Sequence, residues 1–428
     1  MPARPGARTA RRSPAGFYGW WMVGLASLIG VLTGPGQSIG VSVFRQHLSD
    51  GLRLSDSAIA TAYLVGTLAS STFQPRIGRW VDKVGVRRAS TTFGFAFAIV
   101  LAHMSQVRGV VWLAVGFFGI RLLGQGALSL TSTVAVMHWF DRRRGFAVGV
   151  KMTVTFGGMA FVPVLLAFAI DAWGWRNAWL IAAVAIVVTV GPIGWFGFVD
   201  RPADLGQQTD GAPPDPSGRP ASTLPSVTRA MALRSPAFWT LTAVVATNSI
   251  LGTGLLFHQT NLLGEIGYSN SQAAAMFLPQ AVGAVMGGLA FGWLADRAAR
   301  PILPTVVMLL LASTMLLGGT STTFPAVLLY SMVLGMTMGS GAAVQSSLLP
   351  ALFGVGHIGS ISGTLALISV LTSALGALTF SLGSIVWGDY RSASLWFTLL
   401  PLAVALFAYL SRRHFAVETG SWNRRING

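Results

Sequence analysis

The sequence predicts an all-α membrane protein with twelve transmembrane helices in two pseudo-symmetric six-helix bundles. Three observations carry that prediction. Of 428 residues, 53% are hydrophobic and 10% are charged, whereas a soluble globular chain carries about 25% charged residues. A bilayer core about 30 Å thick needs roughly 20 apolar residues per helical span, and stretches of that length recur from residue 17 to residue 410. The second half also repeats features of the first at an offset near 214 residues, the separation of Gly78 from Gly292.

Inside a bilayer every backbone N–H and C=O must be paired within the protein, which admits helices or a closed barrel. Barrel strands alternate apolar and polar residues, but 179–198 and 302–318 are apolar on every side, so helices are expected. The expected spans are 17–45, 55–77, 88–106, 109–138, 145–170 and 177–198, then 237–262, 271–295, 302–320, 324–351, 358–384 and 392–411. This order implies a tail (1–16), a bundle (17–198), a linker (199–235), a second bundle (236–411) and a tail (412–428). Pro202, Pro213, Pro214, Pro216, Pro220 and Pro225 deny the linker a regular helix.

The formal charge of +16 would suit nucleic acid only if the basic residues formed one solvated patch. Instead they sit in short clusters between apolar runs, as orientation signals do. With the amino terminus inside, 29 Lys and Arg divide unequally. Arg45, Arg53, Arg108, Arg176 and Arg391 fall outside, Arg121 and Lys151 fall within spans, and the rest are cytoplasmic. Both termini and the linker are therefore expected in the cytoplasm of a cell-membrane protein. Arg11-Arg12 precedes an apolar run that is too long for a signal core, so no cleaved leader is expected. The chain has no cysteine, which excludes disulfides and thiolate metal sites.

The repeat is specific. Leu54-Ser55-Asp56-Ser57 recurs as Tyr268-Ser269-Asn270-Ser271, each a set of helix-capping side chains before a span. Gly78-Arg79-Trp80-Val81-Asp82-Lys83 recurs as Gly292-Trp293-Leu294-Ala295-Asp296-Arg297. Gly124-Gln125-Gly126-Ala127 recurs as Gly339-Ser340-Gly341-Ala342, and Gly145 and Gly149 recur as Gly359 and Gly363. The offset contains an even number of spans. The halves therefore share one orientation, related by an axis along the membrane normal, and enclose a cavity.

The stretch from Gly78 through Asp82, Lys83, Gly85 and Arg87 to Arg88 resembles the signature loop of the major facilitator superfamily, with Asp296 in its degenerate second copy. Arg121-Leu122-Leu123-Gly124-Gln125-Gly126 resembles a second signature in span four. The resemblance implies a midplane site, alternating access by rocking of the halves, and a loop aspartate, here Asp82, that holds their cytoplasmic ends together. Tyr18-Gly19-Trp20-Trp21 and residues 34–44 look like the first span of bacterial monocarboxylate and oxalate/formate porters. Arg142-Arg143-Arg144-Gly145 and Phe257-His258-Gln259 are similar to segments of that group too. Those porters commonly carry a basic residue in span eight, and 271–295 has none.

Several residues could bind substrate. Arg121 costs at least about 2.5 to 3.5 kcal/mol in mid-span unless it faces a cavity or a partner; the alternative is a structural arginine on backbone carbonyls. Lys151 could snorkel to the surface or attract an anion into the cavity. Gly34-Pro35-Gly36 in span one and Gly252-Thr253-Gly254 in span seven are expected helix breaks of the kind that mark binding regions, or sites of close helix packing. Gln37 and Ser38 supply hydrogen bonds beside the first break. Tyr63, His258, Gln280 and Gln345 are further polar candidates, with helix-to-helix bonding as their plainer role.

All 13 acidic residues fall in loops or at span ends. A cavity with cations and no carboxylate favours an anion, and proton coupling would have to use His258, an end carboxylate or the substrate itself. No phosphate-cradling loop, paired His/Glu motif or other catalytic constellation is present, and no cofactor, metal or nucleic acid is expected. The resulting expectation is a monomeric secondary transporter of a small organic anion, such as a monocarboxylate, rather than an enzyme. Efflux of amphipathic drugs or neutral compounds, and a non-transporting membrane sensor, are the alternatives.

Overall fold

The computed structural model describes residues 16–159, 161–211, 227–297 and 300–413. Nearly all of the expected amino-terminal tail, most of the carboxy-terminal tail and residues 212–226 of the linker lie outside the described residues.

Regular structure among the described residues is helical throughout. Among the described residues, eight helices are long and apolar enough to cross a bilayer. One of them, Arg144–Gly197, has 54 residues, far longer than a bilayer is thick at 1.5 Å per residue. Gly174, at φ 80°, breaks it into spans five and six. Span one joins Gly19–Leu32 to Ser38–Leu52 through a 3-10 turn, Gly34–Gly36, and span two joins Asp56–Ser71 to Gln74–Val84. Span three is Val86–Ser105, and span four runs through Val110–Ile120, a π-helical stretch Arg121–Leu128, and Ser129–Trp139. In the second half, Pro236–Phe257, Phe277–Arg297, Leu303–Thr320, Phe324–Phe353 and Ile358–Trp387 supply spans seven to eleven. Tyr390–Phe397 and Leu399–Leu410 make span twelve. The repeated caps close as their side chains suggest: Ser55 Oγ accepts the Ala58 amide (3.2 Å) and Ser269 Oγ that of Gln272 (3.3 Å). Apolar side chains such as Val111, Trp112 and Ile385 point outward, as a lipid-facing surface requires.

Span five meets span eight, and span two meets span eleven, on the face that carries the linker. Two matching joints tie the halves there. Asp82 accepts the amides of Gly359 (2.7 Å) and Ser360 (2.8 Å) at the start of span eleven. Asp296 accepts those of Gly145 (2.8 Å) and Phe146 (2.9 Å) at the start of span five. A carboxylate gains there from the helix dipole and from charge-assisted hydrogen bonds. The joints exist because backbones touch. A Cβ on Gly78 would stand 1.9 Å from the Gly359 carbonyl oxygen, and one on Gly145 would stand 2.5 Å from that of Gly292.

The rest of the signature loop stays within its own half. Arg87 donates its backbone amide to the Asp200 carboxylate (2.9 Å) and its Nε to the Trp195 carbonyl (2.7 Å), and lies over the Trp195 ring. Gly85 supplies the positive φ, 85°, at the turn into span three, while Lys83 and Arg88 are exposed. The linker is partly ordered against the bundles. Its 3-10 turns Pro202–Leu205 and Thr209–Gly211 rest on the first half, and the Val227 amide donates to Phe353 (3.0 Å) on the second.

Asp82→Asn keeps one acceptor but turns an amide group toward the span-eleven amides. The expected outcome is a transport rate reduced about tenfold or more, with equilibrium substrate affinity changed far less, given roughly 1.5 to 3 kcal/mol for charged hydrogen bonds. Gly359→Ala, whose methyl would press on Asp82 and the Gly78 carbonyl, should reproduce the defect. Rate and affinity measured on the same purified variants check both.

Candidate functional site

A cavity of about 470 Å3 lies between the halves, within the range of small-molecule sites. Spans one, two, four and five supply one wall, including Gln37, Gln74, Arg121 and Lys151. Spans ten and eleven supply the other, including Gln345, Ser346, Ser362 and Ser369. Both cations belong to the first half, the facing wall offers amides and hydroxyls, and the lining contains no Asp or Glu.

Two departures from α-helix build the first wall. In span one Pro35 removes a donor, the helix stops at Leu32 and restarts at Ser38, and Gln37 is extended between them. The freed turn packs on the π-helical stretch: a Cβ on Gly36 would meet the Ile120 carbonyl at 2.6 Å and the Gly124 Cα at 3.2 Å. π-Helical insertions within α-helices are frequent at functional sites. This contact sets Ser38 beside Arg121, the first residue of the π-helix.

Arg121 is 6% exposed, yet it is poorly paired. One terminal nitrogen reaches Ser38 Oγ at 3.4 Å, the guanidinium lies 5.2 Å from the Tyr63 ring centroid, and Nε has no hydrogen-bond partner. Tyr63 is itself held by Ser38 (2.7 Å) and by the edge of Phe117. A structural arginine looks different. Arg176 donates to the Ser105 carbonyl at 2.6 Å and the Val107 carbonyl at 3.2 Å. Lys151 does not snorkel: it is 1% exposed, and Nζ bonds Thr133 Oγ1 at 3.3 Å.

Of the eight binding candidates, Gln37, Arg121, Lys151 and Gln345 therefore line the cavity, with Ser38 and Tyr63 directly behind Arg121. His258 and Gln280 do not line it. His258 ends the span-seven helix and stacks on Tyr390 at 4.7 Å, while the Gln280 amide donates to Gln259, whose own amide holds the Ala273 carbonyl (2.9 Å). The expected break at Gly252-Thr253-Gly254 is also absent. Pro236–Phe257 runs through it unbroken, and Gly254 instead admits span eleven, whose Gly376 carbonyl would lie 2.9 Å from a Cβ there. Gln74, Gln125, Ser129, Thr133 and Thr155 were missed as lining residues. A signal existed: Arg121, Gln125, Ser129 and Thr133 place a polar residue at every fourth position of span four, and all line the cavity, as does Met137.

Comparison with known proteins follows the same lines. Residues 26–377 match the sequence profile of the Major Facilitator Superfamily. The protein named monocarboxylate transporter 13 of Bos taurus is 27% identical over 403 residues, which is 89% of this chain and 86% of that protein. The human organic anion transporter MFSD10 superposes with a TM-score of 0.63 at 16% identity, covering 92% of this chain and 97% of that one. FucP, an E. coli fucose:proton symporter solved in the outward conformation, gives 0.66 at 15% identity over 91% and 98%. These are transporters, not enzymes. Since the matched stretch takes in both joints and every residue lining the cavity, the chain belongs to the Major Facilitator Superfamily of membrane transporters.

Proposed function

We propose that the protein carries a small organic anion of the monocarboxylate class across the cell membrane, as a monomer, by alternating access in symport or exchange. One observation supports this above the others: two buried cations, Arg121 and Lys151, share a cavity lined by no carboxylate. Uncompensated charge is costly at membrane depth. A substrate carboxylate would complete the Arg121 fork and offset one of the two charges, while Gln345 and the serines opposite would take the rest of the molecule. Relatives named as monocarboxylate transporters favour the same class.

Arg121→Ala should weaken anion binding about tenfold to a hundredfold, the range for a charged hydrogen bond. Arg121→Lys should recover only part, because the planar fork is lost. Affinity and melting temperature measured together on purified variants decide the matter. Near-normal affinity in a destabilised Arg121→Ala protein would leave the arginine a structural role only.

The orientation we propose places the linker face in the cytoplasm, with both termini, on the strength of the basic residues clustered there. In this cysteine-free chain, Ala203→Cys on the linker face should be shielded from an impermeant thiol reagent in intact cells. Thr322→Cys, between spans nine and ten, should react. The reverse pattern would invert the assignment.

A further inference from the structure

The joint at span five has a third participant, from the linker. Asp210 is one of two non-glycine residues with positive φ among the described residues, at 60°. Its carboxylate accepts the amides of Asp141 (3.0 Å), Arg142 (2.7 Å) and Arg143 (3.2 Å). Asp296, from the other half, accepts those of Gly145 and Phe146. Two carboxylates thus divide five amides at the entry to one helix. Backbone strain of this kind persists where surrounding contacts over-determine it, and here they do. Gln207 grips the start of span one by accepting the Tyr18 amide (3.0 Å) and donating to the Gly16 carbonyl (2.8 Å). Trp139 donates to the Val199 carbonyl (3.0 Å).

The other joint lacks this support. Among the described residues, no carboxylate accepts an amide of 355–357, the stretch that precedes span eleven.

We propose that Asp210 is a positioning residue of the gate, holding loop 141–143 so that the span-five amides point at Asp296. The inference rests on the alternating-access reading. Removing Asp210 lets the loop turn its amides to water, and the Asp296 contact loosens with it. The segment after span six therefore sets how firmly the halves close on the linker face, although it touches neither the cavity nor the second half's joint residue.

A reporter cysteine at Ser346, which lines the cavity, tests this by its reaction rate with an impermeant thiol reagent in inverted and in right-side-out vesicles. Asp210→Asn removes the charge and keeps a residue that tolerates the left-handed backbone; Asp210→Gly, relaxed at that φ, guards against a folding artefact of either change. Both should raise the linker-side rate and lower the opposite-side rate, shifting their ratio about fivefold or more, as Asp296→Asn should. The Asp210→Asn/Asp296→Asn double variant should shift it no further than Asp296→Asn alone, because the two act through one joint. A parental ratio in both Asp210 variants, or shifts that multiply in the double variant, overturns the proposal. So does a rise from both sides at once, which marks general loosening. A parental ratio in Asp296→Asn itself would instead count against the gate on which the inference rests.

Discussion

The structure depends on a carboxylate seated on the first amides of a helix from the opposite half. Asp82 and Asp296 each make this contact, and both oxygens of each are used. No cationic side chain is needed, because the partner is backbone. The geometry is demanding in another way: the amides are reachable only while the helices touch, so the Gly78–Gly359 and Gly145–Gly292 crossings and the hydrogen bonds form or fail together. A small separation forfeits packing and electrostatics at once, as an all-or-none closure requires.

The same use of acids goes with the absence of carboxylates from the cavity lining. Asp200 seats the start of span three at the Arg87 amide, and Glu265 accepts the amides of Tyr390 and Arg391 at the start of span twelve. Carboxylates are spent on helix ends, where the backbone carries partial positive charge. What remains at the centre is a pair of cations facing neutral amides and hydroxyls, an electrostatic surface set by where the acids are not.

Much of this was legible in the sequence. Composition and repeat predicted the spans, and the paired glycines and aspartates at one offset marked what became the joints. Gly34-Pro35-Gly36 broke span one because proline withdraws a hydrogen bond whatever its surroundings. Gly252 and Gly254 did not break span seven, since glycine alone permits a helix and here only thins it for a neighbour. His258 and Gln280 looked like site residues because polarity within a span signals burial without saying against what. The clasp by Asp210 was invisible, because the donors its carboxylate accepts from are backbone amides far away in sequence and no side-chain pattern announces them.

The π-helical stretch in span four has a consequence for angular register. A four-residue step overshoots one α-helical turn by about 40°, so four such steps would carry position 137 roughly 160° away from position 121, to the far side of the helix. Yet Arg121, Gln125, Ser129, Thr133 and Met137 all face the cavity. From Arg121 to Leu128 the wider turn makes a four-residue step fall short of a full rotation, and the lag in that segment cancels the overshoot in the next. The wider turns thus act as a phase correction: they keep one stripe of side chains aimed at the cavity from position 121 to position 137, where an uninterrupted α-helix would have rotated it onto the packed far side of the span.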